Sequence, residues 1–217
     1  MGRRAGSRNA DFAATRARLL EQIGQRLAQA DGVGASMHDL AQAAGVSTAT
    51  LRHYFGDRDA VIVAYLEDCL IQGARYVAMV ATEPLHPTVA QSLGWALGLI
   101  CRGLEHSPLG KIHAFGLRAG LESPLLGPSY LRNLLEPTLR CVEARIERHQ
   151  GRGDLPGRDP RLLALQLVSP LLLAVLHQRS LFGCQLRPLD LDALLADILG
   201  QLRDGDGDGG AHSQSDR

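Results

Sequence analysis

The chain has 217 residues, of which 45% are hydrophobic and only 4% aromatic. That is enough apolar content to bury the core of one domain, or of a small domain joined to a larger one. No uninterrupted apolar segment approaches the roughly 18 residues that suggest a membrane span, and the basic N-terminus lacks the apolar stretch of a secretory signal; the expectation is a cytoplasmic protein with no membrane partner. The formal net charge is zero, yet residues 1–58 hold eight Arg and five acids, a net of +3, which leaves 15 basic and 18 acidic residues, a net of −3, beyond them. Positive charge gathered at one end is what a polyanionic partner requires. Helix formers dominate and no run alternates with the two-residue period of a strand, so the class is all-α.

Met1 to Ala10, with Arg3, Arg4 and Arg8, lacks periodicity and reads as a flexible basic arm able to reach a minor groove or phosphates, or simply as a loose terminus. A first helix spans 11–30, with Leu19, Ile23 and Leu27 as its apolar stripe. Ser36 and Asp39 form a variant of the capping box and open a helix over 37–44. Gly45 stops it, because glycine takes the left-handed conformation without steric cost. Ser47 caps a second helix over 48–54. Leu40, Ala44, Val46 and Leu51 share the inner face, and Ala41 is small enough for close approach. The arrangement is a helix-turn-helix.

Thr48, Ala49, Arg52 and His53 project away from Leu51, and their groups are of the kinds that meet base edges in a major groove. Tyr54 and Arg58 sit at the rim, suited to phosphates. With the helix-opening Ser36 and Ser47, these eight residues are the candidate DNA-binding set.

The run S-M-H-D-L-A-Q-A-A-G-V-S-T-A-T-L-R-H-Y-F-G-D-R-D-A-V, from Ser36 to Val61, resembles the DNA-binding segment of the TetR family of transcriptional regulators. The long helical remainder is also similar to that family's shape. The resemblance implies that the second helix of the motif enters the major groove. It also implies that the residue just after the Tyr-Phe pair, a lysine in the family and Arg58 here, contacts phosphate. Arg52 stands where the family often has an aromatic residue, so no base preference carries over. Repression relieved by a ligand is the implied mode of control, although activators occur within the family.

After the break at Gly56, Asp57 caps a helix over 57–81 whose start completes a three-helix head. The expected partition is a flexible arm at 1–10, a head at 11–58, a helical ligand-binding and dimerisation domain at 59–203, and a disordered tail at 204–217. Within the second domain the expected helices are 88–106, 109–121, 129–150 with a kink at Pro137, 160–182 with a second kink at Pro170, and 190–202. Asp159 and Pro160 make a good helix start.

A pocket is expected among the first four of these helices. Trp95, Leu99, His113, Leu117, Thr138 and His177 are its candidate lining, for a largely apolar small molecule whose polar end the histidines orient. The alternative for Trp95 is that it fills core space. Ligand binding is expected to move helix 109–121 against the far end of helix 57–81. Leu167, Leu171, Leu172, Val175, Leu191, Leu194, Leu195 and Ile198 make more apolar face than one partner requires. A homodimer joined through a four-helix interface and seated on a palindromic operator would use it, closure of the chain's own core being the other reading.

Gly45-Val46-Ser47-Thr48-Ala49 nearly matches a hydrolase nucleophile elbow, but that chemistry needs a preceding strand and a helix precedes here. Asp204, Asp206, Asp208 and Gly209 imitate a calcium loop, yet Ser215 falls where a bidentate glutamate is wanted. Cys69, Cys101, Cys141 and Cys184 are widely separated and read as buried thiols. The eight histidines lack ligand clustering. No cofactor, no metal and no enzymatic activity are therefore expected. The reading is a transcriptional repressor released from double-stranded DNA by a small molecule. The alternative is a helix-turn-helix adaptor whose second domain binds a protein partner, which would show a packed core and an exposed apolar groove instead of a cavity.

Overall fold

The computed structural model describes residues 5–83, 86–155 and 157–204, and every regular element among them is helical. The helices form two compact units, Met1–Ala74 with Lys111–Pro137, and Arg75–Gly110 with Thr138–Arg217. Packing thus returns residues 111–137 to the unit that holds the helix-turn-helix, a grouping that the partition at residue 58 did not contain.

In the first unit, α1 (Ala5–Leu27) buries Leu19, Leu20, Ile23 and Leu27. It begins six residues before the expected start, so Ala5–Ala10 are helical and not an irregular arm. Extending a formed helix by a residue avoids the nucleation cost, and Ala5, Arg8 and Ala10 are good helix formers. Met1–Arg4 lie outside the described residues. A short 3-10 turn, Gly32–Gly34, leads to α2 (Met37–Ala43) and α3 (Thr48–Phe55). Next comes α4 (Arg58–Thr82), whose first turn is capped by the Asp57 carboxylate accepting the Ala60 N–H at 2.9 Å. Val61, Ile62 and Leu66 are fully buried, and the Tyr65 ring lies so close to Gly24 that a side chain there would collide with it. Tyr65 also meets Phe115 of α6 (Leu109–Glu122) edge-on, with ring centroids 6.3 Å apart.

The expected helix 129–150 is divided. A five-residue α7 (Leu126–Tyr130) passes into a π-turn at Leu131–Leu135 before α8 (Glu136–Gly151) begins. Pro137 has no N–H to donate and its ring crowds the preceding turn. The wider turn directly before it, closed by the Glu136 N–H on the Leu131 carbonyl, is where the helix accommodates that misfit.

In the second unit, α5 (Val89–His106), α9 (Pro160–Val175) and α11 (Leu191–Asp204) pack on one another. Thr88, Asp159 and Asp190 cap them by accepting the N–H groups of Gln91, Leu162 and Ala193. Gly94 and Gly98 leave hollows on α5 that receive Leu199 and Leu195 of α11. α9 runs unbroken through Pro170, whose side is exposed, and gives way to a second π-turn at Leu176–Ser180. Phe182 then takes a left-handed conformation with φ 58° and leads into a one-turn α10 (Gly183–Leu186) that was not expected. The tail from Gly205 on lies outside the described residues.

The stretch Pro160–Ser180 is long and apolar enough to cross a membrane by length and composition, although half of its most apolar window is buried inside the chain. Gln166, Ser169 and His177 interrupt it.

Arg145 of α8 is fully buried. Its guanidinium donates to the carbonyls of Val80 and Glu83 at 2.8 and 3.0 Å and to Ser92 Oγ at 2.8 Å, and it lies 5.1 Å from the centroid of the Trp95 ring. Arg148 donates to the Thr82 carbonyl. Two cations of α8 thereby satisfy the unpaired carbonyls at the C-terminal end of α4, where the helix dipole favours positive charge. Burial lowers the pKa of the Arg145 guanidinium from its ordinary value.

Candidate nucleic-acid interface

The turn between α2 and α3 is built by local hydrogen bonds. Ser36 and Asp39 form a reciprocal capping box, with the Asp39 N–H on Ser36 Oγ at 3.2 Å and the Ser36 N–H on Asp39 Oδ2 at 2.8 Å. The Ser36 hydroxyl also bonds to that carboxylate at 2.7 Å, and these bonds hold the Asp39 pKa below its ordinary value. Gly45 is left-handed at φ 66°, and the Val46 N–H then closes on the Ala41 carbonyl at 3.0 Å. Ser47 caps α3 by accepting the Thr50 N–H at 3.0 Å, with its hydroxyl 2.8 Å from Thr50 Oγ1. Leu40, Ala41, Ala44 and Leu51 are buried beneath, with Val46 half-buried.

This frame fixes what α3 presents. Ser47, Ala49, Arg52 and His53 are exposed; Thr48 and Tyr54 are half-buried. Two of the candidate residues have other duties. The Ser36 hydroxyl gives its one proton to Asp39 within the capping box, so it has none to donate to a phosphate. Arg58 does not stand free at the rim: its Nε donates to the Ala35 carbonyl at 2.7 Å, a terminal nitrogen donates to the Val33 carbonyl, and the other pairs with Asp59 at 3.0 Å. A guanidinium so engaged ties the start of α4 to the loop before α2. Charge at a sequence position could not disclose this, because the carbonyls that capture it lie 23 and 25 residues earlier.

Aromatic and cationic groups of α1, not singled out in the sequence, complete the surface. Phe12 stacks on Tyr54 with centroids 4.7 Å apart and meets His53 edge-on at 6.4 Å. Arg16 places its guanidinium 5.2 Å from the centroid of the Phe55 ring. Their four-residue spacing was the available signal, since it puts both on one face of α1.

The candidate ligand residues fall in different units: His113 and Leu117 in the first, Trp95, Leu99, Thr138 and His177 in the second. His113 is buried, with Nδ1 3.1 Å from the Tyr130 hydroxyl and Nε2 without a partner. Burial lowers its pKa to about 4 and pushes the Tyr130 phenol up to about 12. Leu117 is exposed, and the half-buried Trp95 has one face occupied by Arg145. Leu99 accepts a hydrogen bond from the Tyr76 hydroxyl on its carbonyl, and Thr138 accepts one from the Cys141 thiol. His177 packs over Gly183 with Nδ1 2.8 Å from Gln178. A recess of about 380 Å³ in the second unit is lined instead by polar groups, among them Glu105, His106, Arg179 and Asp192, and by none of these six.

The candidate interface leucines divide in a similar way. Leu167, Leu171, Val175 and Leu191 are buried within the chain, so they are unavailable to a second copy. Leu172, Leu194, Leu195 and Ile198 remain half-exposed. The sequence reading missed that the glycine hollows of α5 receive α11. The exposed apolar positions of α9 are Leu162, Leu165 and Leu173. Of the thiols expected to be buried, Cys184 is exposed and Cys69 half-buried. Burial raises Cys69 and Cys101 to about 11 and Cys141 to about 12, away from thiolate reactivity.

The described residues thus combine a capped helix-turn-helix, braced by α1 and α4, with a second helical unit. Residues 24–65 match the family model described as bacterial regulatory proteins, tetR family, and the head is a TetR-family head, as the resemblance in the sequence implied. The FadR regulator of fatty acid degradation from Bacillus halodurans is 18% identical, with 92% of this chain and 97% of that chain covered and a TM-score of 0.65. A protein assigned to the TetR family of transcriptional regulators from Mesorhizobium loti MAFF303099 is 18% identical over 89% and 95% of the two chains, with a TM-score of 0.67. FadR from Bacillus subtilis, solved in complex with stearoyl-CoA, is 17% identical over 87% and 97%, with a TM-score of 0.64. At these identities the likeness shows the fold, which is that of TetR-family regulators. The search of curated proteins finds no match.

Proposed function

We propose that this chain is a cytoplasmic, sequence-specific transcriptional repressor that binds a palindromic site on double-stranded DNA as a homodimer and leaves it when a small molecule binds. The observation that carries the reading is α3 itself. Its ends are fixed by the Ser47 cap and by Gly56 with φ 92°, its inner face is sealed by Leu51, and its outer face offers Ser47, Ala49, Arg52 and His53 to a partner. Arg52 is the residue suited to guanine, through a bidentate contact to O6 and N7. Tyr54 is suited to a phosphate.

For the effector, the buried His113–Tyr130 pair supports a neutral, largely apolar molecule with one hydrogen-bonding group. An imidazole kept uncharged by burial, with one ring nitrogen unpartnered, attracts a hydroxyl or carbonyl more than a carboxylate. The stearoyl-CoA bound to the Bacillus subtilis regulator supports an apolar effector by analogy of fold alone. For the dimer, the exposed Leu162, Leu165 and Leu173 along α9 extend the half-exposed Leu172, Leu194 and Ile198.

A ligand releases DNA only through different affinities for two states, typically a coupling of about 1–3 kcal/mol, and operator DNA must then weaken the ligand by the same factor. The test measures effector affinity with and without saturating operator. Equal values would remove the sensing role.

A further inference from the structure

The cation that the sequence places at the rim of the recognition surface is tied into the head. Each of the three nitrogens of Arg58 already donates inside the head, to the Ala35 and Val33 carbonyls and to Asp59, which leaves it two of five N–H donors and no freedom to reorient. One turn of α1 supplies another. Phe12 lies flat on Tyr54, with 24° between the ring planes. Four residues on, Arg16 lies over Phe55, the neighbouring ring at the C-terminal end of α3. Among the described residues Arg16 has no hydrogen-bond or ion-pair partner, whereas Arg26 is paired with Asp31 at 2.8 Å and Arg118 donates to the Ala30 carbonyl. Its guanidinium is therefore oriented by an aromatic face while its five N–H donors stay unused.

We propose that Arg16 is the phosphate-binding cation of the recognition surface, held over Phe55 in the place the sequence gives to Arg58, and that Phe12 positions the Tyr54 phenol beside it. A guanidinium resting on a ring keeps a rigid, planar set of donors that matches the oxygens of a phosphodiester. The stack also restricts Tyr54 to one orientation before DNA arrives, which lowers the ordering cost of binding. Contacts of this kind set register and affinity and carry no sequence information.

The inference rests on the DNA-binding reading above. The probe is a random-sequence duplex titrated by fluorescence anisotropy across a salt series, with the wild-type chain, Arg16→Met and Arg16→Lys. Arg16→Met keeps an apolar stem on Phe55 and removes the charge. The slope of log affinity against log salt should become shallower by about 0.9, the loss of one neutralised phosphate. Arg16→Lys keeps the charge and should keep the wild-type slope, with weaker binding from the lost planar donors. Phe12→Ala should weaken binding without changing the slope. An unchanged slope for Arg16→Met, or the same loss in Arg16→Lys, overturns the assignment while the DNA-binding reading stands. A wild-type chain that does not bind duplex DNA overturns both.

Discussion

Arg145 offers the sharpest test of how the second unit is held together. Replacing it with Met keeps much of the stem volume and leaves the Val80 and Glu83 carbonyls and the Ser92 hydroxyl without their donor, and the Trp95 ring without its cation. Each buried polar group left unsatisfied costs about 1–3 kcal/mol. Against this stands the relief of no longer burying a guanidinium, which is worth several kcal/mol. Taking about 2 kcal/mol for each of the three groups, and setting about 3 kcal/mol of relief against their sum, the net loss is about 3 kcal/mol. For a chain of this size each kcal/mol lowers Tm by about 2–4 °C, so the expected drop is about 6–12 °C. The assay is a thermal melt followed by far-ultraviolet circular dichroism, with emission from Trp95, the only tryptophan, as a local reporter. Arg145→Lys reaches fewer of the acceptors and should fall between. A Met variant that melts within about 2 °C of the wild type, against that expectation, would mean that Arg145 is not the brace described here.

Gly45 has a left-handed backbone with open space around it, so Gly45→Ala should cost about 1 kcal/mol through backbone strain alone, read as a fall in denaturant midpoint; no loss would contradict the turn. His113 has a folded pKa of about 4 against an ordinary 6.5, so between those values the unfolded chain holds the proton and the folded chain does not. Stability should be complete above about 6.5 and fall as pH drops toward 4, by up to ~3 kcal/mol, and His113→Gln should flatten that interval in urea titrations at several pH values. Leu173 is exposed on α9, so Leu173→Glu should convert the proposed dimer to monomer in light scattering without changing the fold. An unchanged dimer would move the interface elsewhere.

What could be read from the sequence was mostly local. Ser36, Ser47, Asp57, Thr88, Asp159 and Asp190 act within three residues of themselves, and each caps the helix it was expected to open or precede. The helix-turn-helix followed for the same reason, since its glycine, cap and apolar positions are all set by spacing. What could not be read depends on distant partners. The carbonyls that capture Arg58 come from the loop before α2, and those that capture Arg145 come from the end of α4, 65 and 62 residues earlier. The seat of α11 was missed for a related reason. Nothing in the pattern of Leu191 to Ile198 says that Gly94 and Gly98 open a seat for that helix. Proline was read as a kink, but at Pro137 the chain answers with a wider turn just ahead of it.

The central claim is that the exposed face of α3 reads DNA, and one measurement meets it directly. Genomic fragments recovered by the purified wild-type chain and by Arg52→Ala should be sequenced side by side. The wild type should recover a palindromic motif with half-sites about 34–36 Å apart, one helical turn, or a multiple of it. The Arg52→Ala chain should bind that motif more weakly by about 1–3 kcal/mol and lose preference at one position in each half-site. Recovery of no enriched motif by the wild type, or an identical preference in the Arg52→Ala chain, would contradict the account.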